Sequence, residues 1–176
     1  LSTLVASFVM LLGAKLSLEA RSDEPADSKP SKIRIGTYDS RAITIAFVPS
    51  RFSPTKEKHR EYDKAKEAGD TKRMKELESW GKDYQRKLHF QGFGRVPVDD
   101  LLEPVKDQVN KLARNRGLVA ITMHCDFTAE HVELVDVTHD LVKLFDPSER
   151  TLRHVREIRD KQPIELTELA TLPANQ

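Results

Sequence analysis

The stretch KIRIGTYDSRAI, residues 32–43, switches hydrophobic period halfway along its length. Ile33, Ile35 and Thr37 alternate with Arg34 and Gly36, the period of two that marks a short strand. Tyr38-Asp39-Ser40-Arg41 follows at once. Asp39 or Ser40 can cap a helix whose apolar face carries Ile43, Phe47 and Val48. Pro49 and Pro54 then bracket a break. A strand running directly into a capped helix fixes the start of a mixed fold, and the rest of the chain is read outward from it.

Downstream, from Thr55 to Phe90, the composition turns to charge. Between Lys56 and Lys87 there are 11 basic and 8 acidic residues and no proline. Glu57/Arg60, Glu61/Lys64, Glu78/Lys82 and Asp83/Lys87 stand three or four apart with the acid first, the favourable order on a helix. The apolar positions Tyr62, Ala65, Met74, Leu77, Trp80, Tyr84 and Leu88 form one narrow stripe, closer to a coiled-coil seam than to a core helix. Gly69-Asp70-Thr71 interrupts it and marks either a bend or the tip of a hairpin. Periodicity alone fits a projecting arm and a helix lying on the domain surface equally well.

Gly92, Gly94 and Pro97 end the arm. Asp99 or Asp100 can cap the next helix, which places Leu101, Leu102, Val105, Val109 and Leu112 on one face, tolerates Pro104 in its first turn and stops at Gly117. Leu118 to Met123 is a continuous β-prone run, and Val132, Leu134 and Val135 or Val137 suggest another strand. Thr138 is expected to cap a short helix bearing Leu141, Val142, Leu144 and Phe145. Asp146-Pro147-Ser148-Glu149 offers a capping box, with Pro147 at the first helical position of a helix carrying Leu152, Val155 and Ile158.

Upstream, Leu4 to Leu12 is apolar but too short for a membrane-spanning helix, which needs about 20 residues. It matches the apolar core of a secretory signal, with Ala14 or Ala20 as cleavage points. An uncleaved run would instead anchor the chain at a membrane. Arg21 to Ser31 is rich in serine, proline and acid and reads as a linker.

The 176 residues carry 29 Lys+Arg against 28 Asp+Glu, a net charge of +1 with 32% of residues charged. That balance argues against a nucleic-acid partner. The hydrophobic share of 38% is low because the arm is nearly all charge. A sole cysteine, Cys125, excludes an intrachain disulfide and a multi-cysteine metal centre.

Three features together resemble the OmpH/Skp family of periplasmic chaperones for outer-membrane proteins. They are the apolar leader before KIRIGTYDSRAI, the charged helical excursion, and the closing block GLVAITMHCD (117–126) with HVELVDVTHDLVKLF (131–145). The resemblance covers residues 32 to about 145. It implies a homotrimer whose strands build a shared body, with helices projecting around an unfolded client, and no cofactor. The arm here is short, and the tail from Pro147 to Gln176 has no counterpart in that family.

The expected fold class is therefore α+β: a small β-sheet body, a projecting charged, coiled-coil-like arm and a C-terminal helix. The divisions are a signal-like or anchoring segment at 1–20, a linker at 21–31, a body at 32–146 with the arm at about 55–116, and a C-terminal helix and tail at 147–176. The expected function is a non-enzymatic binding or holding factor, exported to the periplasm or cell envelope. Its partners would be non-native or envelope proteins and further copies of the chain. Tyr62, Leu77, Trp80, Tyr84 and Leu88 are the candidate client contacts, because apolar side chains among mobile charges offer weak grip with charge-guided capture.

Other constellations point to other chemistry. His124 and Cys125, with His131 beyond, would suit a small metal-dependent or cysteine hydrolase, but adjacent strand residues face opposite ways. A buried thiol beside surface histidines is the plainer reading, and no catalytic, metal or cofactor residue is assigned. Tyr38-Asp39-Ser40-Arg41 stands where helix amides can meet an anion, yet lacks a glycine-rich loop and is better read as a cap. Asp136 and Asp140 read as a cap and a first-turn charge.

Overall fold

The computed structural model describes residues 32–171. The signal-like segment at 1–20 and the linker at 21–31 lie outside the described residues. Three strands form one parallel sheet in the order β2-β1-β3: β1 (Ile33–Thr37), β2 (Ala120–Thr122) and β3 (Val132–Asp136). The register pairs Ile35 with Ala120 on one side and with Leu134 on the other, so β1 is central. Gly36 sits where a side chain has no room. A Cβ there would stand 3.0 Å from Leu118 and 3.1 Å from both Ile121 and Val137.

Eight helices complete the described chain: α1 (Ser40–Phe47), α2 (Thr55–Glu67), α3 (Thr71–Phe93), α4 (Asp99–Leu102), α5 (Lys106–Arg116), α6 (Thr138–Lys143), α7 (Glu149–Arg159) and α8 (Leu166–Thr171). A short 3-10 turn at Glu103–Val105, holding Pro104, separates α4 from α5, so the single helix expected there is broken in two. Asp39 caps α1 by accepting the Arg41 N–H at 3.0 Å. Gly117 closes α5 in the left-handed conformation at φ 62°. Ser148 caps α7, which puts Pro147 outside the helix rather than at its first position.

Thr138 does not cap α6. Its hydroxyl instead accepts the Asp39 N–H from the start of α1, while Asp136 accepts the Thr138 N–H. One side chain thereby ties the end of β3 to the end of β1. The core gathers Ile43, Ala46 and Phe47 of α1, Leu101 and Val105, and Val137, Leu141, Val142 and Phe145 around α6. Phe47 and Phe52 both meet Phe145 edge-on, with ring centroids 5.9 and 6.1 Å apart. This is the expected α+β body with its charged arm and C-terminal helices.

The question of bend or hairpin is settled by Gly69. At φ 68° it turns the chain so that α2 and α3 pack as an antiparallel pair. Asp70 caps α3 by accepting the Arg73 N–H at 2.9 Å. The C-terminal half of α3 runs on into the body, where Gln91 is buried and its amide donates to the Pro97 carbonyl and to Asp100. No described helix is long and apolar enough to cross a membrane.

Candidate functional site

The five arm residues read as client contacts are arranged along the hairpin seam and its base. Leu77 is buried, 6% exposed, and lies outside the main core; with Ala65 it makes the hairpin's own small apolar contact. Tyr62 donates its hydroxyl proton to Glu78 at 3.0 Å, a hydrogen bond that raises its pKa above the ordinary phenol value. Trp80 and Tyr84 stack with ring centroids 4.8 Å apart and planes 15° from parallel. The Lys58 ammonium lies 6.0 Å from the Trp80 ring. Burial raises the Tyr84 phenol above its ordinary value. Leu88 packs against the body core. Of the five, Trp80 and Tyr84 form the one stacked aromatic pair.

Outside this seam the arm is ionic. Arg73 bridges Glu61 at 2.6 Å and Glu76 at 3.0 Å, and Lys58 reaches Glu61 at 2.9 Å. Hydrogen bonds from Lys58 and Arg73 hold Glu61 below the usual carboxylate range. The two helices of the arm are thus joined by charge at their surface and by Ala65 and Leu77 within.

The sheet supplies a second feature. Gly36, Ile121 and Val135 face the helices. Ile33, Ile35, Val132 and Leu134 point to the opposite face, with Ile33 43% and Leu134 42% exposed. Parallel sheets are ordinarily covered on both faces. Here one face keeps its branched aliphatic side chains in reach of solvent.

The third feature is a cleft of about 740 Å³ at the carboxyl ends of the strands. Thr37, Tyr38 and Asp39 line it from the β1–α1 junction, Met123 and His124 from the end of β2, Asp136 and His139 from the β3–α6 junction, and Leu152, Val155, Arg156 and Arg159 from α7, with Arg95 from the loop after the arm. Arg41, wholly buried, anchors its wall. The Arg41 guanidinium donates to Asp39 through Nε at 3.0 Å and Nη2 at 2.6 Å, and through Nη1 to the Lys161 carbonyl at 2.8 Å. Burial alone would raise the Asp39 carboxyl. The hydrogen bonds and charge of Arg41, with the Arg95 charge beyond, outweigh it and hold Asp39 below the usual carboxylate range. Burial also pushes the Tyr38 phenol up, aided by the charge of Asp99.

The histidine and cysteine residues do not converge. His124 pairs with Asp126 just past the end of β2, whereas His131 precedes β3 at the other end of the sheet, its carbonyl accepting the Ile33 N–H. Cys125 is a half-buried free thiol that donates to the Phe127 carbonyl at 3.2 Å. Among the described residues no three His, Cys, Asp or Glu side chains are grouped to hold a metal ion. Asp136 and Asp140 serve local structure as expected: Asp136 accepts the Thr138 N–H, and Asp140 bridges Arg116 at 2.6 Å.

Sequence reasoning passed over Arg95, Arg156 and Arg159. The last two stand three apart on the polar face of an amphipathic helix, a pattern that alone reads as a solvated surface. The signal for Arg95 was its place after Gly94 at the end of the arm, where it adopts φ 51°, uncommon for a residue with a side chain. The chain matches no known family model, no curated protein and no solved structure.

Proposed function

We propose that this chain is a self-associating holding factor of the OmpH/Skp kind, exported to the cell envelope, that shields non-native polypeptides without catalysis or cofactor. The observation that carries the reading is the open face of the parallel sheet joined to a charged hairpin. Further copies of the chain, three in all, cover Ile33, Ile35, Val132 and Leu134, supplying the second layer that a parallel sheet ordinarily has. Assembly through the body leaves the hairpins free at its margin.

The hairpins suit transient holding more than tight capture. Their seam is apolar but narrow, their outer faces are ionic, and the Trp80–Tyr84 stack is the aromatic contact they offer a client. Mixed charge keeps the arms soluble and guides encounter with chains of either sign, and arms placed around a client keep it from other unfolded chains. A surplus of only three positive charges on the arm (11 − 8) predicts weaker, less salt-sensitive holding than a strongly basic arm would give.

The test is aggregation of a denaturant-unfolded client diluted into buffer, followed by light scattering with and without the full chain and with no nucleotide. Suppression at about one oligomer per client is the expected result. Aggregation unchanged at a large excess of the chain would refute the holding function.

A further inference from the structure

We propose that the cleft at the carboxyl ends of the three strands is a binding site for a small amphipathic anion, a carboxylate or phosphate ester on an apolar body. It is distinct from the hairpin seam and does not depend on what the arm holds.

The charges define the sign of the ligand. Two carboxylates line the cleft, Asp39 and Asp136. Both oxygens of Asp39 are already taken by the buried Arg41 guanidinium, so Arg95, 4.0 Å away, gains only a long-range contact from it. Asp136 accepts the Thr138 N–H and faces Arg159 at 3.5 Å. Arg156 has no ion pair among the described residues. Buried Arg41 neutralises Asp39, so the three lining guanidinium groups of Arg95, Arg156 and Arg159 stand against one remaining carboxylate, Asp136, a surplus of two positive charges (3 − 1). The surplus comes from arginines, whose planar fork matches a carboxylate or phosphate with paired hydrogen bonds.

The walls define the rest of the ligand. Ala42, Leu152 and Val155 line the cleft with aliphatic carbon, and Met123 adds a polarisable side chain at the end of β2. A bare inorganic ion would satisfy the arginines and leave these groups wet. A volume of about 740 Å³ falls in the range of small-molecule sites, which runs from about 300 to 1,000 Å³. The position is also the one that topology favours, since ligands of open parallel sheets bind in the crevice beyond the carboxyl ends of the strands.

Rigid elements hold the arginines in place. Arg156 and Arg159 rise from α7, whose Val155 is packed into the core. Arg95 extends from a backbone fixed at φ 51°, between the closely packed Gly94 and the buried Val98. The buried Arg41 ties the other wall to the end of α7 through the Lys161 carbonyl. The cleft is formed before any ligand arrives.

The experiment is isothermal titration of the full chain with hexyl phosphate, hexanoate, inorganic phosphate and hexylamine, repeated on Arg156→Ala/Arg159→Ala. Both arginines are exposed, and an unchanged circular-dichroism melt of the variant shows that its fold is intact. Saturable binding of hexyl phosphate or hexanoate at one molecule per chain is expected, and which of the two binds tighter identifies the headgroup. Inorganic phosphate should bind about tenfold more weakly, hexylamine should not bind, and the variant should lose about tenfold or more in affinity. The proposal is overturned if neither hexyl anion binds at millimolar concentration, if the variant binds as the parent does, or if inorganic phosphate or hexylamine binds equally well.

Discussion

Replacing Asp39 by Asn removes one negative charge while keeping the shape of the side chain and its capacity to cap α1, since Asn and Asp cap equally well. What changes is the environment of Arg41. That side chain is wholly buried and makes three close contacts with the Asp39 carboxylate, between 2.6 and 3.2 Å, and one with the Lys161 carbonyl. Leaving a buried charge without its partner costs about 3–5 kcal/mol. The Lys161 contact survives and the Asp39 side chain is 17% exposed, so the lower end applies, about 3 kcal/mol. For a domain of this size that corresponds to a fall in Tm of roughly 10 °C. Urea denaturation followed by circular dichroism at neutral pH measures the change directly. The double variant Asp39→Asn/Arg41→Met removes both charges and should regain most of the loss, because an apolar replacement for a buried pair is often neutral. Asp39→Asn within about 0.5 kcal/mol of the parent, or a double variant no better than the single one, would refute the claim that the Asp39 carboxylate offsets the burial of the Arg41 charge.

The same pair sets an acid limit. The Asp39 carboxyl is held below its ordinary value, so its contribution is fully present above the unfolded-state value near pH 4 and is lost as pH falls through the lower folded value. Stability measured from pH 6 to pH 2 should therefore fall more steeply for the parent than for Asp39→Asn; parallel curves would contradict the assignment. Gly94→Ala places a Cβ 2.6 Å from the ends of Leu166 and Leu169 and 3.1 Å from the Phe90 carbonyl, and should cost roughly 1–3 kcal/mol. Hydrogen exchange should show the loss first as faster exchange in α8. Leu77→Ala empties the hairpin's main apolar contact and should destabilise α2 by about 2–3 kcal/mol, read as faster amide exchange over Thr55–Glu67 with the body unchanged.

Local features were legible because short-range physics fixes them. Alternation at Ile33–Thr37, the Asp39 cap and the glycine stop at Gly117 each depend on a few neighbouring residues. Pairing between distant strands does not: nothing local in Ala120–Thr122 or Val132–Asp136 says that both lie beside β1 and run parallel to it. Thr138 was misassigned for the same reason. Its hydroxyl has a local use as a cap, and a partner at Asp39, 99 residues away, claimed it. Arg41 shows the limit most plainly. An arginine beside a cap reads as surface, and only the approach of Asp39 and the Lys161 carbonyl makes its burial tolerable. The arm was legible as a charged helical excursion, whereas its closure into a hairpin rests on Gly69 and on salt bridges between α2 and α3. The strand-end cleft was invisible, since it draws on residues from Thr37 to Arg159 that meet only in the folded chain.

On the proposed function, further copies of the chain cover the sheet face on which Ile33 and Leu134 are exposed. Multi-angle light scattering of the full chain, compared with Leu134→Glu, tests it most directly. A mass about three times that of one chain is expected for the parent and a folded monomer for the variant, since a charge on the shared face cannot be buried without a partner. A parent that stays monomeric at every concentration, or a variant that assembles as the parent does, would contradict it.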